Sequence, residues 1–185
     1  VQESCIEALR VLNDKTIKEY LGYFSDAYLL FTLDSHAFSV KEQIKSPKKI
    51  YAIDTGMAGA VGFSFSENRG RLLENQVYLD LKRRGHELYY YKTGNGLEVD
   101  FACCKGGTIT QLLQVVQDLG DDKTRNREMR SLLKALGETG LKHGEIVTYE
   151  EEDELVVDGK TICLIPAFKY LLGQEQGRIT HDPGR

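Results

Sequence analysis

Between Glu74 and Val116 the sequence holds three acids and an amide at intervals that can bring them together. Glu74 precedes Val77, Tyr78 and Leu81 by three, four and seven residues. On a helix that spacing puts it on the apolar face, where a carboxylate is costly unless paired, hydrogen-bonded or bound to metal. Glu98 and Asp100 alternate on a predicted strand, with Ala102 on their face and Val99 and Phe101 on the other. On the next predicted strand Gln114 shares a face with Thr110, Leu112 and Val116. If Asp100 and Gln114 point to the same side, they and Glu74 converge.

The chemistry that uses such a convergence is metal-assisted phosphodiester hydrolysis. Hard cations take carboxylate and carbonyl oxygens, lower the pKa of a bound water and stabilise charge on the phosphate. Asp100 and Glu74 would be the ligands, magnesium or manganese the ion, and no other cofactor is expected. A lysine two residues beyond Gln114 would orient the nucleophile, but Val116 stands there. Lys92, on the neighbouring predicted strand, is the nearest replacement, and Gln114 offers only a neutral oxygen. The alternative is a buried carboxylate network without catalysis, in which Gln114 is a hydrogen-bond partner.

The elements that must position these residues follow from periodicity and punctuation. A helix is predicted over 67–85, ended by Gly85, with Lys82, Arg83 and Arg84 suiting its C-terminal dipole. Strands are predicted over 88–92, 97–104, 108–116, 145–149 and 161–165. Helices are predicted over 121–136 and 167–172, and the acidic run 150–154 reads as a solvated turn. Upstream, a short helix is predicted over 5–11. Ile17, Tyr20, Leu21 and Phe24 then mark one face of a helix capped by Asn13-Asp14. Strands over 28–33 and 50–53 flank a polar stretch. Helix, helix and two-strand wing make a winged-helix-like pattern over 1–55, joined by glycine-rich 54–66 to an α/β domain over 67–172. Residues 173–185 read as a polar tail.

Bulk properties narrow the classes. Net charge is −4 and the pI about 5.6, which does not favour nucleic-acid binding by bulk charge. The local basic candidates are Lys48 and Lys49 beside the wing, and Arg125 and Arg127 opening a helix. The four cysteines include no C-x-x-C pair, which argues against zinc and for free thiols in a reducing cytoplasm. The histidines are scattered. No apolar run is long enough to span a membrane. The chain opens at Val1 without a leader pattern and reads as a piece of a longer protein. Gly159-Lys160-Thr161 is not a phosphate loop, because Glu154 stands where its first glycine would be.

Several short strings occur in a telling order: Thr16-Ile17-Lys18-Glu19-Tyr20-Leu21, Lys48 to Gly56, Gly70-Arg71-Leu72-Leu73-Glu74-Asn75, Glu98-Val99-Asp100-Phe101, Gln114-Val115, Thr124-Arg125 with Arg127-Glu128, and Ile165-Pro166. In this order the chain resembles the C-terminal portion of bacterial and archaeal AAA-type ATP-binding proteins, a domain of unknown function. The resemblance implies an α+β chain: a winged-helix-like segment, then a PD-(D/E)XK restriction-endonuclease-like mixed sheet flanked by helices. It implies Glu74, Glu98 and Asp100 as the acidic site, with Gln114 as a degenerate fourth position. It also implies an ATPase module upstream in the same polypeptide. The expected function is that of an accessory domain whose decayed nuclease fold serves protein or nucleic-acid docking. The alternative is a metal-dependent DNA or RNA endonuclease with a migrated lysine.

Overall fold

The computed structural model describes residues 13–37, 39–60 and 69–173. The predicted helix over 5–11, part of the glycine-rich stretch and nearly all of the polar tail lie outside them. The described chain runs α1 (Asp14–Asp26), β1 (Leu30–Leu33), α2 (Val40–Lys45), β2 (Lys49–Ala52) and α3 (Thr55–Ala60). It continues α4 (Arg69–Arg83), β3 (Glu87–Lys92), β4 (Glu98–Lys105), β5 (Thr108–Val115) and α5 (Asp122–Thr139). It closes with β6 (His143–Thr148), β7 (Asp153–Val157), β8 (Lys160–Pro166) and α6 (Ala167–Leu171).

Strands β3 to β8 form one mixed sheet in the order β3-β4-β5-β6-β8-β7. The β3–β4, β4–β5 and β7–β8 pairs are antiparallel, while β5–β6 and β6–β8 are parallel. Helix α5 makes the crossover between parallel β5 and β6. It begins at Asp121, whose carboxylate accepts from the Thr124 amide at 2.9 Å, and ends at left-handed Gly140. Its Leu132, Ala135 and Leu136 pack on one face of the sheet with Val99, Leu112, Val116, Ile146 and Ile162. Val77, Tyr78 and Leu81 of α4 pack on the other face with Phe101, Leu113, Val115, Val147 and Tyr170 of α6. Each such fully buried side chain contributes about 1.5–3 kcal/mol.

Strand β7 was not expected. The acidic run continues into Leu155-Val156-Val157, which pairs with β8 through a tight turn. Asp158 and Gly159 both have positive φ there, 51° and 71°, the geometry of a two-residue hairpin loop. The Asp-Gly pair after a β-branched run carried that signal. The stretch between β1 and β2, expected as polar turn, holds the short α2, capped by Ser39 on the Glu42 amide.

The β1–β2 hairpin is fastened to the sheet and α4 at several points. Its alternation turns Leu33 and Tyr51 inward, at 2% and 5% exposure. The Tyr51 ring stacks on Tyr78 with centroids 4.1 Å apart. Beyond β1 the chain lies along β3: the Tyr90 amide donates to Asp34 O at 3.0 Å, and the His36 amide to Tyr90 O at 2.8 Å. The Asn75 side chain on α4 acts as a substitute strand for β2. Its Oδ1 accepts from the Ala52 amide and its Nδ2 donates to Ala52 O, both at 2.8 Å.

Candidate functional site

Three elements meet over Asp100. Helix α4 contributes Glu74, strand β4 contributes Glu98 and Asp100, and hairpin strand β2 contributes Lys49 and Tyr51. The Lys49 ammonium lies 2.8 Å from Asp100 Oδ1, 3.1 Å from Glu74 Oε1 and 3.1 Å from Glu98 Oε1. Tyr51 donates its hydroxyl to Glu74 Oε1 at 2.7 Å. Asp100 Oδ2 accepts from the Val115 amide at 3.0 Å.

A bulge in β4 makes this convergence possible. Tyr89 pairs with Ala102 and Tyr91 with Val99, so Asp100 and Phe101 together oppose Tyr90 alone. An extra residue of this kind bends a strand and re-aims a side chain. Asp100 reaches Lys49 on the α4 side, and Phe101 packs into the core on that same side. Val99 and Ala102 both pack on the α5 side. The expected sharing of one face by Asp100 and Ala102 is therefore corrected: strict alternation holds only up to the bulge.

Beyond the Phe101–Leu113 pair, β4 and β5 separate, and side chains take over the ladder. Gln114 is buried at this fork. Its Oε1 accepts from the Asp100 amide at 3.2 Å, and its Nε2 donates to Glu128 Oε2 on α5 at 2.5 Å. Glu128 Oε1 in turn accepts from Arg127 at 2.8 and 2.5 Å. Gln114 thus touches the backbone of Asp100 but points to the α5 side, away from the carboxylate group. Lys92 ends β3 opposite Glu98, exposed and outside the set of contacts around Asp100.

The basic candidates separate as well. Lys48 pairs with Asp34, Arg127 with Glu128, and Arg125 is half-buried on α5. Lys49 turns inward, its side chain 22% exposed, so it is not part of an outward lysine patch. Its role at the acids was missed because the return strand was expected to start one residue later. The available signal was its two-residue spacing from Tyr51, an aromatic that seeks the core.

Burial works to lower the Lys49 pKa, but Asp100, Glu74 and Glu98 together outweigh it and raise the pKa above the ordinary lysine range. Asp100 is pushed up to about 6: burial is the main cause, the Lys49 charge opposes it, and Glu74 adds to it. Burial, then Glu74, pushes the Tyr51 hydroxyl far above its usual value. The arrangement is one ammonium shared by three carboxylates, with the inward oxygens already accepting hydrogen bonds. Among the described residues, no group of three or more His, Cys, Asp or Glu side chains is spaced to hold a metal ion. With Lys49 in place the donor set does not fit one.

A family model described as Domain of unknown function (DUF4143) matches residues 69–170, more than half of the chain. The chain belongs to this DUF4143 family. It is also 39% identical over 178 residues to an uncharacterized protein of Methanocaldococcus jannaschii, covering 89% of this chain. The match spans 38% of that relative's length. Within the DUF4143 segment lie Glu74, Glu98, Asp100, Gln114 and Glu128. Lys49 and Tyr51 come from the hairpin that precedes it. No described helix is long and apolar enough to cross a membrane.

Proposed function

We propose that this chain is an accessory module of a larger ATP-binding protein, built on a catalytically silent nuclease-like core that serves docking to protein. The order helix, three antiparallel strands, helix and parallel strand from α4 to β6 supports a PD-(D/E)XK restriction-endonuclease-like core. Acids on the helix and second strand support the same ancestry, while the amide on the third turns to the α5 side and adds nothing to it. The N-terminal helix and hairpin are winged-helix-like, with the inner face of the wing given over to α4. The ATPase module is inferred from the resemblance of the strings quoted above.

The observation that carries the silent reading is the Lys49 ammonium at 2.8–3.1 Å from all three carboxylates. It supplies the positive charge a divalent ion would supply, from the same oxygens. An ion entering there would meet a like charge at contact distance, a juxtaposition that costs several kcal/mol. Gln114, held between Asp100 and Glu128, adds no charge to attract the ion. The test is calorimetric titration with Mg2+ and Mn2+ beside a plasmid-nicking assay. The expected result is no saturable heat and no nicking. Metal-dependent nicking that Asp100→Ala abolishes would overturn the proposal.

One observation favours a second reading, a metal-dependent nuclease in which Lys49 rather than Lys92 is the migrated lysine. A carboxyl near pKa 6 beside an ammonium is the kind of perturbed pair found at catalytic centres. That reading requires nicking by the parent chain and its loss in Lys49→Met.

A further inference from the structure

A cleft of about 440 Å3 lies on the flank of α4 turned away from Glu74, lined by Phe31, Ile53, Asp54, Gln76, Leu79, Lys82 and others. Its floor is apolar: Phe31 and Leu79 are half-buried and pack against the core. The Lys82 ammonium stands 4.8 Å from the centre of the Phe31 ring, and among the described ion pairs none includes Lys82. Arg83 also lines the cleft, its side chain 72% exposed. The carboxylate it approaches, Asp80, is 3.9 Å away and is held by Arg84 at 2.7 Å. Lys82, which no described ion pair includes, and Arg83, whose described acid Asp80 is shared with Arg84, therefore border an apolar floor beside Asp54.

The lining adds exposed apolar surface: Ile53 is 42% exposed. The Ile53 amide donates to Leu29 O at 3.0 Å, which ties the cleft to the turn after α1. In that turn Tyr28 has a φ of 58° and is 73% exposed. A bulky residue in the left-handed region costs about 1–2 kcal/mol, and the exposed ring recovers little of it by burial. An aromatic held there in water suits a surface that is covered by something else.

We infer that this cleft docks an acidic peptide segment of a partner protein, with an apolar side chain over Phe31 and Leu79 and carboxylates on Lys82 and Arg83. The inference deepens the docking reading above by giving it a place and a partner chemistry. Asp54 also lines the cleft, but its Oδ1 already accepts from the Met57 amide at 2.8 Å, and displacement by nucleic acid is an outcome of the test below.

The test is selection of a random displayed peptide library on the whole chain, followed by binding of recovered peptides to variants. Recovered peptides are expected to combine Leu or Phe with Asp and Glu. Their binding weakens on the order of tenfold or more in Lys82→Glu/Arg83→Glu and in Ile53→Asp. It persists in the charge-matched control Lys105→Glu/Lys142→Glu, with circular dichroism confirming that every variant is folded. Peptides lacking acids, equal binding to Lys82→Glu/Arg83→Glu, or displacement by single-stranded DNA would each overturn the cleft assignment. Recovery of no peptide would overturn both the cleft and the docking role. Catalytic silence is tested separately by the nicking assay.

Discussion

Replacing Lys49 by Met keeps most of the side-chain stem and removes the charge that three carboxylates share. Truncating one partner of a buried ion pair costs about 3–5 kcal/mol, because the remaining charge is left uncompensated. Here the side chains of Lys49, Glu74 and Asp100 are 22%, 22% and 13% exposed, so water relieves part of that cost. Glu98, at 41%, contributes least. The expected loss at pH 8 is therefore at the lower end, about 3 kcal/mol.

The loss depends on pH in a direction set by Asp100. Its folded pKa, about 6, lies above the ordinary 3.8, so folding favours the protonated carboxyl. That contribution is complete below the unfolded value and is lost as pH rises through the folded one. Lys49 is the charge that opposes the rise, so removing it moves the folded pKa further up. Each additional unit widens the pH 8 penalty by about 1.4 kcal/mol relative to a pH at which Asp100 is protonated. Urea unfolding followed by circular dichroism at pH 5 and pH 8 measures the difference, provided the m-values agree. A loss under about 1 kcal/mol at pH 8, or an equal loss at both pH values, would refute a buried, charge-sharing Lys49.

Other outcomes follow from the same geometry. Tyr51→Phe removes the 2.7 Å hydrogen bond to Glu74 but keeps the stack on Tyr78, and should cost about 1 kcal/mol in urea unfolding. Gln114→Glu sets a carboxylate against Glu128 Oε2 at the 2.5 Å now spanned by an N–H donor. It should destabilise by about 2 kcal/mol at pH 8 and less at pH 5, read by thermal melts, without creating nicking activity. In Gly144→Ala the new Cβ would meet Leu132 at 3.0 Å and Leu136 at 3.1 Å, where α5 seats on β6. The overpacking should cost about 1–3 kcal/mol in the same melts.

Much of the sheet was legible because each strand is punctuated. Gly94 to Gly96, Gly106-Gly107 and Gly140 end elements where alternation or helical spacing stops, and α4, β3, β4, β5 and α5 fall within a few residues of expectation. The site was less legible for two physical reasons. The bulge at Asp100–Phe101 changes which residues share a face, and no local residue type announces it. The ammonium beside Asp100 comes from Lys49, 51 positions earlier in the chain, so strand-local motifs could not supply it. Lys92 was near in sequence yet ends its strand facing water. Gln114 stands out in the sequence as an amide among acids, but the side it faces depends on how β4 and β5 part, and so on the fork and on Glu128.

The hairpin's contribution leads to a prediction about the DUF4143 segment by itself. A fragment of residues 69–173 keeps Glu74, Glu98 and Asp100 but loses Lys49, Tyr51 and Leu33. Tyr51 and Leu33 are almost fully buried, and each loss forfeits about 1.5–3 kcal/mol. The amide of Asn75 loses both bonds to Ala52, and the Tyr90 backbone its partners at Asp34 and His36. With the missing ammonium added, the sum approaches the 5–15 kcal/mol that usually separates folded from unfolded domains. The fragment should therefore melt without a cooperative transition at pH 8 and regain part of its structure near pH 5, where a proton on Asp100 replaces the lost charge. Comparison with residues 13–173 by circular dichroism and by amide dispersion in NMR decides it. A fragment that melts cooperatively at pH 8, within a few degrees of the longer chain, would show that the acidic centre stands without its hairpin lysine.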